Sequence, residues 1–126
     1  MILINFSSQL GQDQIRQAES LLRAPIDQVI HFPIRLDSDQ LVLQQFKSAM
    51  KKFPLSAEEV RNEPVAVVLP SANFLVALIL AELHAWMDYF PSILLVRIQP
   101  YGLPPRFEVV ELLDLQQIED SARGIN

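Results

Sequence analysis

Cysteine is absent from the 126 residues of this chain, and histidine occurs only twice. Without cysteine the chain forms no disulfide bond, offers no thiolate nucleophile and has no Cys-based zinc site. No cluster of histidine and carboxylate residues replaces such a site, so we predict no bound metal. The lack of disulfides is also compatible with the cytoplasm, where we expect the protein to act.

Basic residues are few as well, because ten Lys and Arg stand against 15 Asp and Glu and give a formal net charge of −5. Three of the ten, Lys47, Lys51 and Lys52, fall on one predicted helix. A protein that binds duplex nucleic acid usually presents a basic face, so we predict no duplex binding. A small anionic ligand held by a few arginines remains compatible with this charge.

Long hydrophobic runs are missing too. The longest apolar stretch, residues 74–83, carries Glu82 and is bracketed by Asn73 and Pro91. It is shorter than the roughly 20 apolar residues that a membrane span needs. The first six residues lack a basic region and become polar too early for a signal peptide. We therefore predict no membrane segment and interpret the stretch as a buried helix.

The composition that remains is that of one folded domain. Half of the residues are hydrophobic and 20% are charged, and the length suits a single domain over residues 1–126. Strand patterns alternate with helix patterns, which indicates a mostly parallel sheet with helices on both faces. The last connection, residues 99–106, contains no helix and is too short for a parallel crossover. We predict a Rossmann-like α/β domain with strand order 2-1-3-4-5 and an antiparallel last strand.

The boundaries follow from hydrophobic periodicity and from capping residues. Ser56 with Glu59 and Asp114 with Gln117 have the spacing of capping boxes. Residues 37–39 offer several N-caps for the second helix. The predicted strands are residues 1–6, 28–32, 64–69, 93–98 and 107–113. The predicted helices are residues 12–23, a second that Pro54 ends, 57–62, 74–90 and 115–123.

A ligand site is expected at the carboxyl ends of the first and third strands. Ligands of open α/β sheets bind there because the strand order reverses at that point. The loop 7–11 then lies beside the turn 70–73, and the loop 99–106 opens on the same edge. Hydroxyl and amide groups would donate hydrogen bonds, and the planar guanidinium of an arginine suits phosphate. The predicted ligand-binding residues are Asn5, Ser7, Ser8, Ser71, Asn73, Phe74 and Arg106.

Each of these residues also has a structural interpretation. Ser71 or Asn73 is as well suited to capping the fourth helix as to binding a ligand. Ser7 and Ser8 fit an ordinary loop, and Arg106 fits a solvent-exposed strand start. Aromatic rings that would stack on a base are Phe6, Phe74 and Tyr101, but the first two are of a type more often found in the core.

Catalytic motifs are absent from the sequence. There is no glycine-rich dinucleotide fingerprint, no P-loop and no Gly-x-Ser-x-Gly elbow, so we predict no cofactor. His84 and Asp88 are four residues apart and can pair on one helix face. They lie far from the strand ends without a nearby nucleophile, which favours a core or interface role. His31 is interpreted as structural, and no catalytic residue is predicted.

The fourth helix indicates a homodimer. A helix that is apolar on all sides cannot be covered by one face of a sheet. Leu80, His84, Trp86 and Met87 are its surplus hydrophobic or amphipathic residues. Because two-fold dimers are the commonest closed assembly, we expect these four residues at a dimer interface.

Four stretches of the chain resemble one known family. They are Met-Ile-Leu-Ile-Asn-Phe-Ser at 1–7, Leu-Pro-Ser-Ala-Asn-Phe at 69–74, Ala-Glu-Leu-His with Tyr-Phe-Pro within 81–91, and Leu-Pro-Pro-Arg-Phe-Glu-Val at 103–109. In this order, over nearly the whole chain, they resemble the CRISPR-associated Csx-fifteen family, small ancillary proteins of type III CRISPR systems.

The resemblance implies a Rossmann-like fold related to domains that sense cyclic oligoadenylates, the messengers made when the interference complex meets foreign RNA. It implies that Asn5, Ser7, Ser71, Asn73 and Arg106 touch the ligand. A dimer, or a higher stacked assembly, would present equivalent edges to a symmetric ring.

Three functions follow as hypotheses. The first is a non-catalytic protein that binds cyclic tetra-adenylate and so limits its free concentration. The second is a metal-independent ring nuclease, which needs no general base if the ribose 2′-OH is held in line with the phosphate. The third is a protein–protein adaptor that docks through the apolar helix.

Overall fold

The fold is a five-stranded α/β sheet in the order β2-β1-β3-β4-β5, as the sequence predicts. A computed structural model describes residues 1–124 of the domain, and residues 125 and 126 lie outside that part. Strands β1 to β4 are parallel, and β5 runs antiparallel to β4. The elements are β1 (Ile2–Asn5), α1 (Gln12–Leu22), β2 (Gln28–His31), α2 (Val42–Met50), α3 (Ala57–Arg61), β3 (Val65–Val68), α4 (Asn73–Met87), β4 (Ser92–Gln99), β5 (Arg106–Asp114) and α5 (Leu115–Ala122).

The two central strands, β1 and β3, are buried along their whole length. Their register pairs Ile4 with Val67 and Asn5 with Val68, so both strands end at the same level. Unbroken apolar runs suit these positions because helices cover both faces of a parallel sheet. The ends of β1 and β3 are therefore fixed by the best-buried part of the molecule.

Helices cover the two faces of the sheet unequally. On one face α2, α3 and α4 pack over β1 and β3 through a core that includes Phe46, Val60 and Ile79. On the other face α1 packs through Ala18 against a smaller core that includes Leu3. The β1–α1 and β3–α4 connections thus leave the sheet towards opposite faces, which creates the reversal of strand order between β1 and β3.

Two capping predictions are confirmed, and two are wrong. The side chains of Ser56 and Asp114 accept hydrogen bonds from the first turns of α3 and α5. Helix α2 instead begins after Leu41, because the Asp37 carboxylate accepts from Asp39 N in a turn of its own. Helix α4 begins after Ala72 without a side-chain cap, so neither residue proposed as its cap acts as one.

Helix α4 is shorter than the sequence predicts. It ends at Met87, because Asp88 adopts a left-handed conformation with φ 64° and its N–H bonds to His84 O at 2.8 Å. This is a common way to terminate a helix. No helix within residues 1–124 has the length and apolar character needed to cross a membrane.

Candidate functional site

A cleft of about 370 Å³ opens outside the carboxyl ends of β1 and β3. The loop after β1, the turn after β3 and the end of the β4–β5 hairpin form its walls. This is the edge of the sheet where the sequence predicts a ligand site. The residues that line it are Ser7, Ser8, Gln9, Leu10, Val68, Leu69, Pro70, Ser71, Leu95, Val96, Ile98 and Phe107.

The structure brings three of the predicted ligand residues together in this cleft. Ser7 and Ser8 come from the loop after β1, and Ser71 comes from the turn after β3. Asn73 and Phe74 follow on the first turn of α4 and are exposed, but neither lines the cleft. The hydroxyl groups thus gather as predicted, whereas the amide and aromatic groups of α4 lie outside.

The side chain of Asn5 is buried beneath the loop that forms one wall of the cleft, and it does not line the cleft. Its side chain is 1% exposed. Its Oδ1 accepts from Ser7 N at 3.0 Å, and its Nδ2 donates to Ser8 O at 2.7 Å and lies 3.2 Å from His31 Nδ1. These three partners occupy the buried amide, so the prediction that Asn5 binds the ligand directly is wrong. Asn5 instead fixes the backbone that carries the two serines.

Arg106 lies in a neighbouring groove of about 440 Å³ between α1 and β5. It is exposed and makes no ion pair within residues 1–124. In the same groove Asp13 and Arg16 neutralise each other in an ion pair. Phe107 lines both the groove and the cleft, so Arg106 is adjacent to the cleft without being part of its wall.

The aromatic residue in the cleft is Phe107, which the sequence reasoning missed. Its exposed fraction is 48%. Phe6 is 1% exposed, and its ring centroid lies 6.5 Å from that of Phe32 and 6.4 Å from that of Phe53. The expectation that Phe6 stacks on a base is therefore wrong. Ile98 and Phe107 are paired at the open end of the hairpin. This pairing next to the loop 99–106 is the feature that could have indicated both residues as part of the cleft.

Helices α1 and α4 start beside the cleft and have no side-chain N-cap. Gly11 precedes α1, and Ala72 precedes α4. Backbone N–H groups in the first turn of a helix have no partner within the helix, and together with the helix dipole they favour an anion. Helices α1 and α4 begin two residues after the cleft-lining residues Leu10 and Ser71, whereas α3 and α5 are capped by Ser56 and Asp114. The start of α4 can therefore receive phosphate oxygens, whereas at the start of α1 Gln14 Oε1 already accepts from Gly11 N.

The residues predicted for a dimer interface are partly used inside the chain. Met87 is 2% exposed and belongs to the core, so its assignment to surplus surface is wrong. The rings of Trp86 and Phe53 lie 5.5 Å apart, and those of His84 and Phe90 lie 4.6 Å apart. Leu80 is half-buried against the core. The exposed apolar residues of α4 are Phe74, Ala77, Ala81 and Ala85.

The described lining of the cleft contains no ionisable side chain. Within residues 1–124, no group of histidine and carboxylate side chains could hold a metal ion. The cleft can therefore bind through hydroxyl groups, backbone N–H groups and apolar contact, but its own walls offer no general acid or base. Comparison of the chain with known protein families, curated proteins and solved structures finds no match.

Proposed function

We propose that this chain is a cytoplasmic, non-catalytic protein that binds a cyclic oligoadenylate, with cyclic tetra-adenylate as the first ligand to test. By holding the messenger it would lower its free concentration and regulate type III CRISPR antiviral signalling. The proposal is carried by the neutral cleft at the reversal of strand order, which three serine hydroxyls line and near which helices α1 and α4 begin.

The chemistry of the cleft suits a nucleotide in three respects. First-turn N–H groups of α4, beside Ser71, match phosphate oxygens. Ser7 and Ser8 can donate to phosphate or accept from a ribose hydroxyl. Phe107 offers a ring on which a base can stack, a contact that every base tolerates. Arg106 lies next to the cleft and can reduce the repulsion between phosphates and a chain of net charge −5.

The size of the cleft favours a shared ligand. Small-molecule sites commonly measure about 300–1,000 Å³, and this cleft is near the lower end with about 370 Å³. The cleft has room for one nucleotide of a cyclic oligoadenylate, but not for the whole cyclic molecule. Two copies related by a two-fold axis would present two equivalent clefts to a symmetric ligand. The exposed apolar face of α4 is the surface that we propose for this dimer.

The proposal is tested with labelled cyclic tetra-adenylate and purified protein, on a native gel and on a denaturing gel followed over time. We expect a shifted band and an intact ligand. Linear products would replace sequestration with ring cleavage. No shift with any ring size would overturn the messenger hypothesis and favour the adaptor.

A matched pair of variants assigns any shift to the cleft. Ser71→Phe fills the cleft from its rim, whereas Ser48→Phe adds the same ring to an exposed position of α2. We expect the first variant to lose the shift and the second to keep it. Equal binding by both variants would place the ligand elsewhere on the molecule.

A further inference from the structure

Asn5 connects a histidine on the edge strand β2 to the loop that forms one wall of the cleft. His31 stands opposite Asn5 in the strand register, and its Nδ1 lies 3.2 Å from Asn5 Nδ2. The same amide holds Ser7 N at 3.0 Å and Ser8 O at 2.7 Å. His31 is exposed and does not line the cleft. It is therefore one side chain away from two residues that do.

The hydrogen bonds determine which ring nitrogen of His31 carries the proton. The Ser7 N–H can only donate and the Ser8 carbonyl can only accept, so the two ends of the Asn5 amide cannot be exchanged. The remaining hydrogen of Nδ2 points to His31 Nδ1, which must offer a lone pair. An imidazole that accepts at Nδ1 is neutral and carries its proton on Nε2. A protonated imidazole donates from both nitrogens, so the Nδ1–H of His31 would face the Nδ2–H of Asn5 and repel it.

We propose that His31 is a positioning residue for the cleft: its neutral form holds Asn5 and the Ser7–Ser8 loop in the ligand-binding arrangement, and its protonation releases them. A proton on Nδ1 would remove the acceptor that faces the Asn5 amide, so we expect ligand affinity to be lower in acidic solution. The inference rests on the proposed function for its ligand. The tautomer of His31 does not depend on any ligand.

Several ionisable groups lie around β2, but none of them is in hydrogen-bond contact with His31 within residues 1–124. Its strand partner β1, residues Ile2–Asn5, carries no ionisable side chain. At the far end of the strand Asp27 is bound to the Met1 amine. Glu19 of α1 accepts from Ile26 N just before the strand, and Glu59 and Glu63 line a groove with Gln28 of β2. Arg35, on the segment after β2, is exposed. Asn5 is therefore the polar partner through which His31 acts on the cleft.

The first test reads the His31 ring by ¹⁵N-resolved nuclear magnetic resonance of the ligand-free protein. At about pH 8, above the range in which histidine titrates, we expect the neutral ring to carry its proton on Nε2. We also expect the Asn5 side-chain signals to change as His31 titrates, and those signals would not move if His31 served only as strand surface. A proton on Nδ1 at that pH would overturn the inference.

The second test measures the affinity for labelled cyclic tetra-adenylate between about pH 5.5 and 8, across the histidine range. In His31→Asn the amide oxygen takes the place of Nδ1, so the variant keeps an acceptor but does not titrate. His84→Asn is the matched control, because the chain has only these two histidines.

We expect the wild-type chain and His84→Asn to bind cyclic tetra-adenylate about two- to tenfold more weakly at the lowest pH than at the highest, because one hydrogen bond contributes about that much to affinity. We expect His31→Asn to bind equally at both ends. Persistence of the full pH dependence in His31→Asn would refute the positioning role. Absence of binding at every pH would refute the proposed function instead, and the magnetic resonance measurement would still decide the state of His31.

Discussion

Gln17 on α1 accepts a hydrogen bond from the backbone N–H of Val109 on β5, with 2.8 Å between Oε1 and N. One turn earlier on the helix, Gln14 Nε2 donates to Phe107 O at 2.8 Å. Strand β5 has β4 on one side only, and an unpaired edge invites association with other chains. Two glutamine side chains thus take the place of a sixth strand, and they hold the hairpin against α1 beside the cleft.

Removal of this contact is expected to destabilise the fold. In Gln17→Ala the N–H of Val109, a residue that is 7% exposed, loses its partner. An unsatisfied buried donor costs about 1–3 kcal/mol. Urea denaturation followed by circular dichroism should show that loss. Gln12→Ala, an exposed glutamine on the same helix, is the control and should change stability little. Equal stability of the two variants would show that the Gln17 contact contributes nothing.

Gly11 and Gln14 are expected to act as a coupled pair. Gly11 N donates to Gln14 Oε1 at 2.7 Å, and a Cβ at position 11 would meet that oxygen at 2.9 Å. Gly11→Ala must therefore shift the end of the flexible Gln14 side chain, which disturbs its bond to Phe107 O. We expect Gln14→Ala to cost about 1 kcal/mol and Gly11→Ala to cost less, because the Gln14 side chain can move.

The double variant Gly11→Ala/Gln14→Ala should lose clearly less stability than the sum of the two single variants, because both substitutions affect the same contacts. Gly102→Ala supplies the comparison, since its Cβ would have only an ordinary contact with Pro104 O at 3.4 Å. Its effect should simply add to that of Gln14→Ala. Strict additivity in the Gly11 pair would contradict the coupling.

Asn5→Asp is expected to make stability depend on pH. A protonated carboxyl group can accept from Ser7 N and donate to Ser8 O, as the amide does, whereas a carboxylate cannot donate. With His31→Asn in the same chain, so that no imidazole faces the new carboxyl group, burial beside a carbonyl oxygen would raise the pKa of the introduced Asp above its unfolded value of about 3.9. The folded state then holds a proton that the unfolded state has lost, so stability falls as the pH rises from about 4 to 7.

Urea midpoints near the two ends of that pH range test this expectation, each compared with the His31→Asn chain at the same pH. Asn73→Asp is the matched control, because Asn73 is exposed at the start of α4. A carboxylate there interacts favourably with the helix dipole. If both variants responded alike to pH, the buried amide would not have the role that its hydrogen bonds indicate.

The sheet was predictable because its determinants are local. The β-branched run at 65–68 is buried on both faces, and the connection of 99–106 leaves no room for a crossover helix. The serines of the cleft follow from strand order alone, since Ser7 and Ser71 lie directly after adjacent strand ends.

Side-chain direction at the strand ends was harder to predict. Asn5 is the last residue of β1 and bonds back to its own loop, which composition does not reveal. In the hairpin, an irregularity between Leu95 and Val96 shifts the register, and such a bulge changes which face later residues occupy. The orientation of Arg106 and Phe107 depends on that shift. The prediction from sequence therefore included Arg106 in the site and omitted Phe107.

The proposed dimer is expected to depend on the exposed face of α4. Ala81→Glu places a charge among Phe74, Ala77 and Ala85, so association through this face should fail. Light scattering should report the mass of two chains for the wild type and of one chain for the variant. Ala122→Glu, an exposed alanine on α5, should stay dimeric. A wild-type chain that is monomeric with saturating cyclic tetra-adenylate would contradict the dimer.

Phe107 is expected to contribute more to ligand binding than Phe74. Both rings are partly exposed, at 48% and 40%, but only Phe107 lines the cleft. Base–aromatic stacking is worth about 1–3 kcal/mol per base, so Phe107→Ala should weaken binding of cyclic tetra-adenylate by about 5- to 150-fold. Phe74→Ala should leave the affinity nearly unchanged at a protein concentration where the assembly state is the same. The reverse order of effects would move the base from the cleft to the start of α4.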